Sequence, residues 1–139
     1  MQQILGILSI TNVVGACASP TRGVFGGGAA GRSIVDYIII ASKGNATDFG
    51  EMTSAHQYCA HSNTTRGIFQ GKHNGTDSLT LATGGNAQHF ADLNINTRQE
   101  AAVTGNMTRC VIGGGYTLPG YTNSMEYVTI STEGSAADF

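Results

Sequence analysis

Short apolar runs, separated by polar and glycine-containing turns, occur along the whole chain. No segment of helical length shows the spacing of an amphipathic helix, in which apolar residues recur every third or fourth position. The clearest runs are rich in β-branched side chains, and two of the three alternate with a polar residue: residues 38–40, 79–81 and 128–130. A turn pair that suits two antiparallel strands follows each run: Gly44-Asn45, Gly85-Asn86 and Gly134-Ser135. The pattern predicts an all-β fold.

One sequence motif occurs three times in the chain. TRGVFGGG at residues 21–28 returns as TRGIFQG at 65–71 and as TRCVIGGG at 108–115. The arginines of the three copies recur at intervals of 44 and 43 residues: Arg22, Arg66 and Arg109. A period in the low forties, with several short strands in each repeat, is typical of β-propeller blades.

A second block follows each copy of this motif. Residues 36–49 and 126–139 match position for position, and residues 77–90 form a more divergent copy. The block ends each time in a phenylalanine: Phe49, Phe90 and Phe139. A further short stretch, residues 57–62, lies between the phenylalanine and the next arginine. Each repeat thus supplies about four strands, which predicts three four-stranded, kelch-like propeller blades. We place the repeats at about 6–49, 50–90 and 91–139, within one domain over residues 1–139.

The number of repeats bears on assembly. Closed propellers have typically about four to eight blades, and three blades alone would leave open sheet faces. The chain begins and ends at the same position of the repeat, which is that of Phe49 and Phe139. We therefore expect another chain to complete the ring, and a six-bladed homodimer is the simplest solution. A partner protein with the other blades, or a longer parent protein, are the alternatives.

Composition and charge exclude some partners. Only 12% of residues are charged, against roughly 25% in typical soluble domains, and the net charge is −2 without a basic patch. Nucleic acid is therefore a poor candidate partner. No apolar stretch reaches the roughly 18 residues of a membrane span. Residues 1–18 are apolar but contain no basic residue, so we expect the tail of a blade there and no secretory signal.

Cysteines, histidines and sequons show no spacing typical of a functional site. The cysteines occupy unlike repeat positions without a CxxC pattern, so we expect small packing residues at Cys17, Cys59 and Cys110. The histidines lack metal-ligand spacing, and we expect neither a metal nor a cofactor at His56, His61, His73 and His89. Four N-x-T sequons are expected to be turn and strand-edge residues: Asn45, Asn63, Asn74 and Asn106.

Polar residues that recur in every repeat favour a structural role. We expect each repeated arginine to bond backbone carbonyls or an acidic residue of a neighbouring blade. The alternative is a ring of arginines around an anion-binding channel. An acidic residue also recurs at the start of each second block, where we expect turn capping and not a catalytic carboxylate cluster: Asp36, Asp77 and Glu126.

The longest predicted loop lies in the third repeat, between Gly113 and Asn123. The repeats differ in length mainly at this point, and variable loops are where binding residues collect on a rigid scaffold. We expect exposed side chains that contact another protein or a host glycan at Tyr116, Leu118 and Tyr121.

Together the motifs resemble the kelch-like repeats of tailed-bacteriophage virion proteins, of the tail or fibre type found in phages of marine bacteria or cyanobacteria. RGVFGGG, the acidic-tyrosine strand and GNATDFGEMT form the resemblance, which covers nearly the whole chain. The chain departs from the kelch pattern in lacking tryptophan, and Ser78 and Gln70 interrupt the middle repeat. The resemblance implies a non-enzymatic virion component that serves assembly or host attachment. A lectin-like carbohydrate-binding propeller is the alternative, and an enzyme on a propeller scaffold is the third possibility.

Overall fold

The computed structural model describes residues 15–28, 32–56, 59–71, 73–96 and 98–139. Within these ranges the chain contains no helix and forms three four-stranded antiparallel sheets and one two-stranded hairpin. The predicted all-β class is confirmed. No helix of the described residues could therefore cross a membrane. The predictions for residues 1–14 lie outside the described part of the chain, and the first strand begins at Gly15.

Each sheet is a meander in which the strands follow one another in sequence order. Sheet I consists of β1 (Gly15–Ala18), β2 (Arg22–Gly26), β3 (Ile34–Ile39) and β4 (Thr47–Glu51). Sheet II consists of β5 (Cys59–Ser62), β6 (Arg66–Gln70), β7 (Gly75–Thr80) and β8 (Gln88–Asp92). Sheet III begins with β9 (Ala102–Gly105) and β10 (Arg109–Gly113). The hairpin of β11 (Tyr116–Thr117) and β12 (Gly120–Tyr121) follows, before β13 (Met125–Thr129) and β14 (Ala137–Asp138) complete sheet III.

The turns between the first two strands of each sheet are closed by a polar side chain. The carboxamide oxygen of Asn63 accepts hydrogen bonds from the backbone N–H groups of Thr65 and Arg66. Asn106 accepts in the same way from the N–H groups of Thr108 and Arg109, where β10 begins. Before β2 the hydroxyl of Ser19 is the acceptor of the two corresponding N–H groups. Asparagine and serine favour such turns because the side chain replaces a backbone acceptor. Two of the four sequon asparagines are thus turn residues.

The first strands of the three sheets lie next to one another, since β1 contacts β5 and β5 contacts β9. The hydroxyl of Ser62 donates to the carbonyl of Ala18 at 2.7 Å and accepts from its N–H at 3.1 Å. His61 bonds the carbonyl of Asn106 through Nε2 at 3.0 Å. The short side chains of these strands allow the close approach of neighbouring backbones.

A buried apolar cluster joins sheet I to sheet II. Its members on sheet I include Val24, Val35 and Phe49. Its members on sheet II include Phe69, Leu79 and Leu81. We call the side of a sheet that bears the repeat positions of Val24 and Phe49 its front face, which in sheets I and II faces the following sheet. The opposite side is the back face, which in sheets II and III faces the preceding sheet.

A second buried cluster joins sheet II to sheet III through mostly the same repeat positions. The front face of sheet II contributes Ile68, Phe90 and Leu93. The back face of sheet III contributes Ile112, Val128 and Ile130. Because each interface uses one front and one back face, the repeated sequence generates a repeated packing mode, in which every sheet covers the apolar residues of its neighbour.

Candidate functional site

The repeated arginines tie neighbouring sheets together. Arg22 donates from Nη1 to the carbonyl oxygen of Leu81 at 3.0 Å, and Arg66 donates from Nη1 to the carbonyl oxygen of Ile130 at 2.6 Å. Both acceptors belong to the following sheet, directly after its third strand. Each guanidinium also lies over an aromatic ring of its own sheet, with Arg22 4.8 Å from the centroid of Tyr37. Two of the three repeated guanidinium groups are therefore engaged in contacts between sheets.

The third repeated arginine lacks such an acceptor. Arg109 starts β10 of sheet III, and its guanidinium lies 4.4 Å from the ring centroid of Tyr127. It is exposed, because no sheet follows sheet III in the described part of the chain. Arg109 thus has the aromatic contact of its counterparts without their bond to a neighbouring sheet.

The repeated acidic residues connect the sheets in the opposite direction. Asp77 accepts hydrogen bonds from the backbone N–H and the hydroxyl of Thr53, which follows β4 of the preceding sheet. Glu126 accepts from the backbone N–H of Asn94, which follows β8, at 2.7 Å. Instead of capping a turn, as the sequence predicts, each of these two carboxylates bonds the neighbouring sheet. Both carboxylates are buried, at 4% and 1% exposure, so these bonds compensate for lost hydration.

Asp36 holds the same repeat position in sheet I without this contact. It is only half-buried, since its side of sheet I faces no other described sheet. Partial burial, together with the negative charge of Asp48 on the adjacent strand, raises the pKa of Asp36. Asp36 and Arg109 are therefore the two repeated polar residues that lie at the open ends of the three-sheet stack.

A buried ion pair links the connection between sheets II and III to sheet III itself. Arg98 is 0% exposed, and its Nη1 lies 3.2 Å from Oε2 of Glu126. The guanidinium also donates to the carbonyl oxygens of Ile112 and Ser124, at 3.2 and 3.3 Å. Oε2 has no well-aligned donor and Nε of Arg98 has no acceptor, so the contact is an ion pair more than a hydrogen bond.

Sequence patterns did not single out Arg98. It lies between the repeated blocks, and its partners come from two other segments of the chain, one at Ile112 and one at Ser124 and Glu126. The one related signal is that the third repeat has the longer Glu126 where the other repeats have aspartate. That difference alone names no partner.

The predicted loop of the third repeat is an ordered hairpin. Tyr116 pairs with Tyr121 across β11 and β12, and the backbone of Tyr116 exchanges two hydrogen bonds with Gln99. Gly115 at φ 98° brings the chain close to this segment, where an added Cβ would lie 2.6 Å from the Gln99 carbonyl oxygen. The hairpin is therefore held on one side by Gln99.

The tip of the hairpin exposes the side chains that the sequence singled out. Tyr121 is 83% exposed and Leu118 is 72% exposed, whereas Tyr116 is half-buried. The rings of Tyr116 and Tyr121 meet edge to face, with centroids 5.4 Å apart. Aromatic and apolar side chains in such a position are typical of contact surfaces, because they bury much area on binding.

The histidines do not form a ligand set. His56 and His73 meet edge to face with ring centroids 4.9 Å apart, and with His89 they line a cavity of about 60 Å³ between sheets I and II. His61 lies elsewhere, at Asn106. No group of three or more His, Cys, Asp or Glu side chains that could hold a metal ion occurs among the residues that the structure describes.

The cysteines lie one in each sheet, all with free thiols. Cys110 is fully buried, and Cys17 and Cys59 are half-buried. Burial raises the pKa of each thiol to about 12. A thiol with such a pKa is protonated at neutral pH and is a poor nucleophile and a poor metal ligand.

In comparisons with known proteins, no protein-family model matches this chain, and no curated protein is similar to it. The resemblance to phage kelch-like repeats therefore stays a prediction from the motifs.

Proposed function

We propose that this protein is a non-enzymatic structural and interaction component of a bacteriophage particle, located in the tail, a fibre or another exterior part, where it serves assembly or host attachment. The exposed aromatic hairpin is the observation on which the proposal rests, because only one of the three described sheets bears such an extension. The motif resemblance supports the phage context, and the hairpin supports the interaction role.

The proposal includes a propeller arrangement of the sheets as kelch-like blades. Three features support it: each sheet is a four-stranded meander, the first strands of successive sheets are adjacent, and front faces pack on back faces. In propellers the first strand of each blade lies nearest the axis. A blade scaffold holds its loops rigidly, which suits a surface that contacts other molecules.

The use of the polar residues supports a non-enzymatic role. Arg22 and Arg66 bind backbone carbonyls, and Asp77 and Glu126 accept backbone N–H groups between sheets. A reaction centre needs polar groups that face a substrate and are free to change their partners. These residues face the sheet interfaces instead.

Carbohydrate binding is the second candidate function. Sugars stack on exposed aromatic rings, and Tyr121 offers one at 83% exposure. A host-surface glycan would then be the ligand of the hairpin in place of another virion protein.

The proposal is tested with the double variant Leu118→Ser, Tyr121→Ser, which keeps the hairpin backbone and removes its apolar tip. We expect mass spectrometry to find the wild-type chain in purified phage particles. We expect the soluble wild-type protein to inhibit particle assembly, or adsorption to host cells, by competition. The double variant should be at least tenfold weaker as a competitor, which corresponds to about 1.4 kcal/mol of binding free energy.

Met107→Ser is the matched control, since Met107 is also exposed, at 55%, but lies at the opposite end of β10. This variant should compete like the wild type. Absence of the chain from purified particles would overturn the phage proposal. Binding on a glycan array that disappears in the double variant would select the carbohydrate function.

A further inference from the structure

The front face of sheet III is built from positions that are buried in the other two sheets. Phe139 is 65% exposed, whereas its counterparts Phe49 and Phe90 are 5% and 3% exposed. Met125 is 49% exposed and its counterpart Val35 is 0% exposed. In sheets I and II these positions are covered by the following sheet, whereas in sheet III they are exposed.

The back face of sheet I shows the complementary pattern. Ile40 is 55% exposed, whereas its counterparts Leu81 and Ile130 are fully buried against the preceding sheet. Ile34 on the same face is 42% exposed. Large apolar side chains grouped on one surface mark an interaction site.

The polar contacts at the two open faces are complementary as well. Inside the chain, each repeated arginine of a front face donates to the carbonyl that follows the third strand of the next sheet. Arg109 is a front-face donor without such an acceptor. The carbonyl of Ile40 occupies the acceptor position on sheet I, which has no preceding sheet in the described part of the chain.

We propose that a second copy of this chain covers both faces, with the front face of sheet III of one copy packed on the back face of sheet I of the other. Arg109 of one copy then donates to the Ile40 carbonyl of its partner, as Arg22 and Arg66 do within the chain. Met125 and Phe139 pack against Ile34 and Ile40. The contact occurs twice around a twofold axis, so neither face stays open.

The number of sheets favours two copies. Closed propellers have typically about four to eight blades. Among whole multiples of the three four-stranded sheets that the structure describes, only two copies, with six sheets, fall in that range. An unrelated partner would need to offer a back face and a front face at the right separation, which a second copy does by construction. The ring count rests on the propeller arrangement proposed above, whereas the pairing of faces rests on the described contacts.

The mass of the isolated chain in solution tests the proposal. Size-exclusion chromatography with light scattering should give twice the 14.4 kDa mass of one chain. A monomer, which would result if residues 1–14 or another segment covered the faces, would overturn the proposal. So would any larger assembly. If the protein were a dimer but its electron micrographs showed no sixfold pseudo-symmetry, the pairing of faces would stand and the count of six propeller blades would be wrong.

Two neighbouring isoleucines provide a matched pair of variants. Ile40→Asp places a charge in the proposed interface and should remove the dimer peak. Ile39→Asp makes the same change one residue earlier, at a side chain that is also exposed, at 41%, and points to the other side of the strand. This control should stay dimeric. Because both residues are exposed within one chain, circular dichroism should show folded protein in both cases.

A mixing experiment tests that unlike faces pair. Met125→Asp should also give monomers, because it changes the other face. A mixture of the Ile40→Asp and Met125→Asp proteins can form one contact in which both faces are wild type, so a heterodimer should reappear. If sheet I faces paired with each other, Met125→Asp alone would stay dimeric and the mixture would show no recovery, and the proposal would be wrong.

Discussion

Single residues in this protein differ in environment according to their place in the stack, even when their repeat position is the same. Arg22 and Arg66 each bond a carbonyl of a neighbouring sheet, but Arg109 is exposed. Asp77 is 4% exposed and bonds Thr53, while Asp36 is half-buried and has a raised pKa. The chemistry of a repeated side chain is thus set by the sheet that covers it.

Arg98 is the polar residue with the largest predicted effect on stability. Its pairing with Glu126 is fully buried, so each charge depends on the other for compensation of its lost hydration. Arg98→Met keeps most of the side-chain volume and leaves Glu126 buried with a negative charge. We expect the free energy of unfolding to fall by about 3–5 kcal/mol, measured by urea denaturation.

Adding Glu126→Gln to the Arg98→Met protein gives a double variant that tests this explanation. The amide oxygen of Gln can still accept the N–H of Asn94, and no buried charge remains. The double variant should therefore be more stable than Arg98→Met alone. If it were equally unstable or less stable, the loss would come from packing and the ion pair would not be its cause.

At the scale of the elements, small residues decide how closely the sheets approach. Gly67 in β6 has no room for a side chain, since a Cβ there would lie 2.7 Å from Sγ of Cys17 and 3.2 Å from Cδ2 of Leu81. Cys17 belongs to β1 of the neighbouring sheet. The glycine of the repeated motif therefore permits contact between sheets I and II.

Gly67→Ala should destabilise the protein by about 1–3 kcal/mol, because an added methyl group forces packed side chains apart. The measurement is a thermal or urea melt. Gly44→Ala is the control, since an added Cβ there meets nothing within 4 Å, and its stability should equal or slightly exceed that of the wild type. Equal melts for both variants would contradict the tight contact at Gly67.

At the scale of the whole molecule, the two apolar clusters make each sheet depend on its neighbour. Sheet II is covered on both faces, whereas sheets I and III each have one face covered by another of the described sheets. An isolated sheet could not bury its apolar residues, so we expect the three sheets to unfold as one cooperative unit.

The three thiols, one in each sheet, report on this cooperativity. Their pKa is raised to about 12 from 9.0 by burial, so near pH 8 the folded protein contains roughly a thousandfold less thiolate than the unfolded chain. We expect iodoacetamide to label all three cysteines over the same range of urea concentration, as followed by mass spectrometry. Labelling of Cys110 at lower urea than the others would show that sheet III unfolds separately.

The same shifts give the sign of the alkaline pH dependence. Well below pH 9 most of the thiols are protonated in both the folded and the unfolded state. Between the unfolded pKa of 9.0 and the folded value of about 12, the unfolded chain releases protons that the folded protein retains. The contribution of the thiols to the free energy of unfolding is therefore lost as the pH rises through this range.

The sequence by itself determined the class of the fold and its repetition. Alternating β-branched runs, turn pairs and the thrice-repeated motif predicted an all-β chain, and the residues that the structure describes form three four-stranded sheets in the order of the repeats. It also singled out Tyr116, Leu118 and Tyr121, since a length difference between repeats is visible without coordinates. These features are local along the chain, so local patterns suffice to predict them.

Only the tertiary structure decided which residues meet across the sheets. The Arg98–Glu126 pair joins the connection between sheets II and III to a strand of sheet III, and no periodic pattern relates the two residues. The predicted loop proved to be a hairpin whose first strand also pairs with Gln99, a residue outside the repeated blocks. Identical repeat positions also become buried or exposed according to the presence of a neighbouring sheet. Burial depends on the packing of distant segments, so the sequence of one repeat does not contain it.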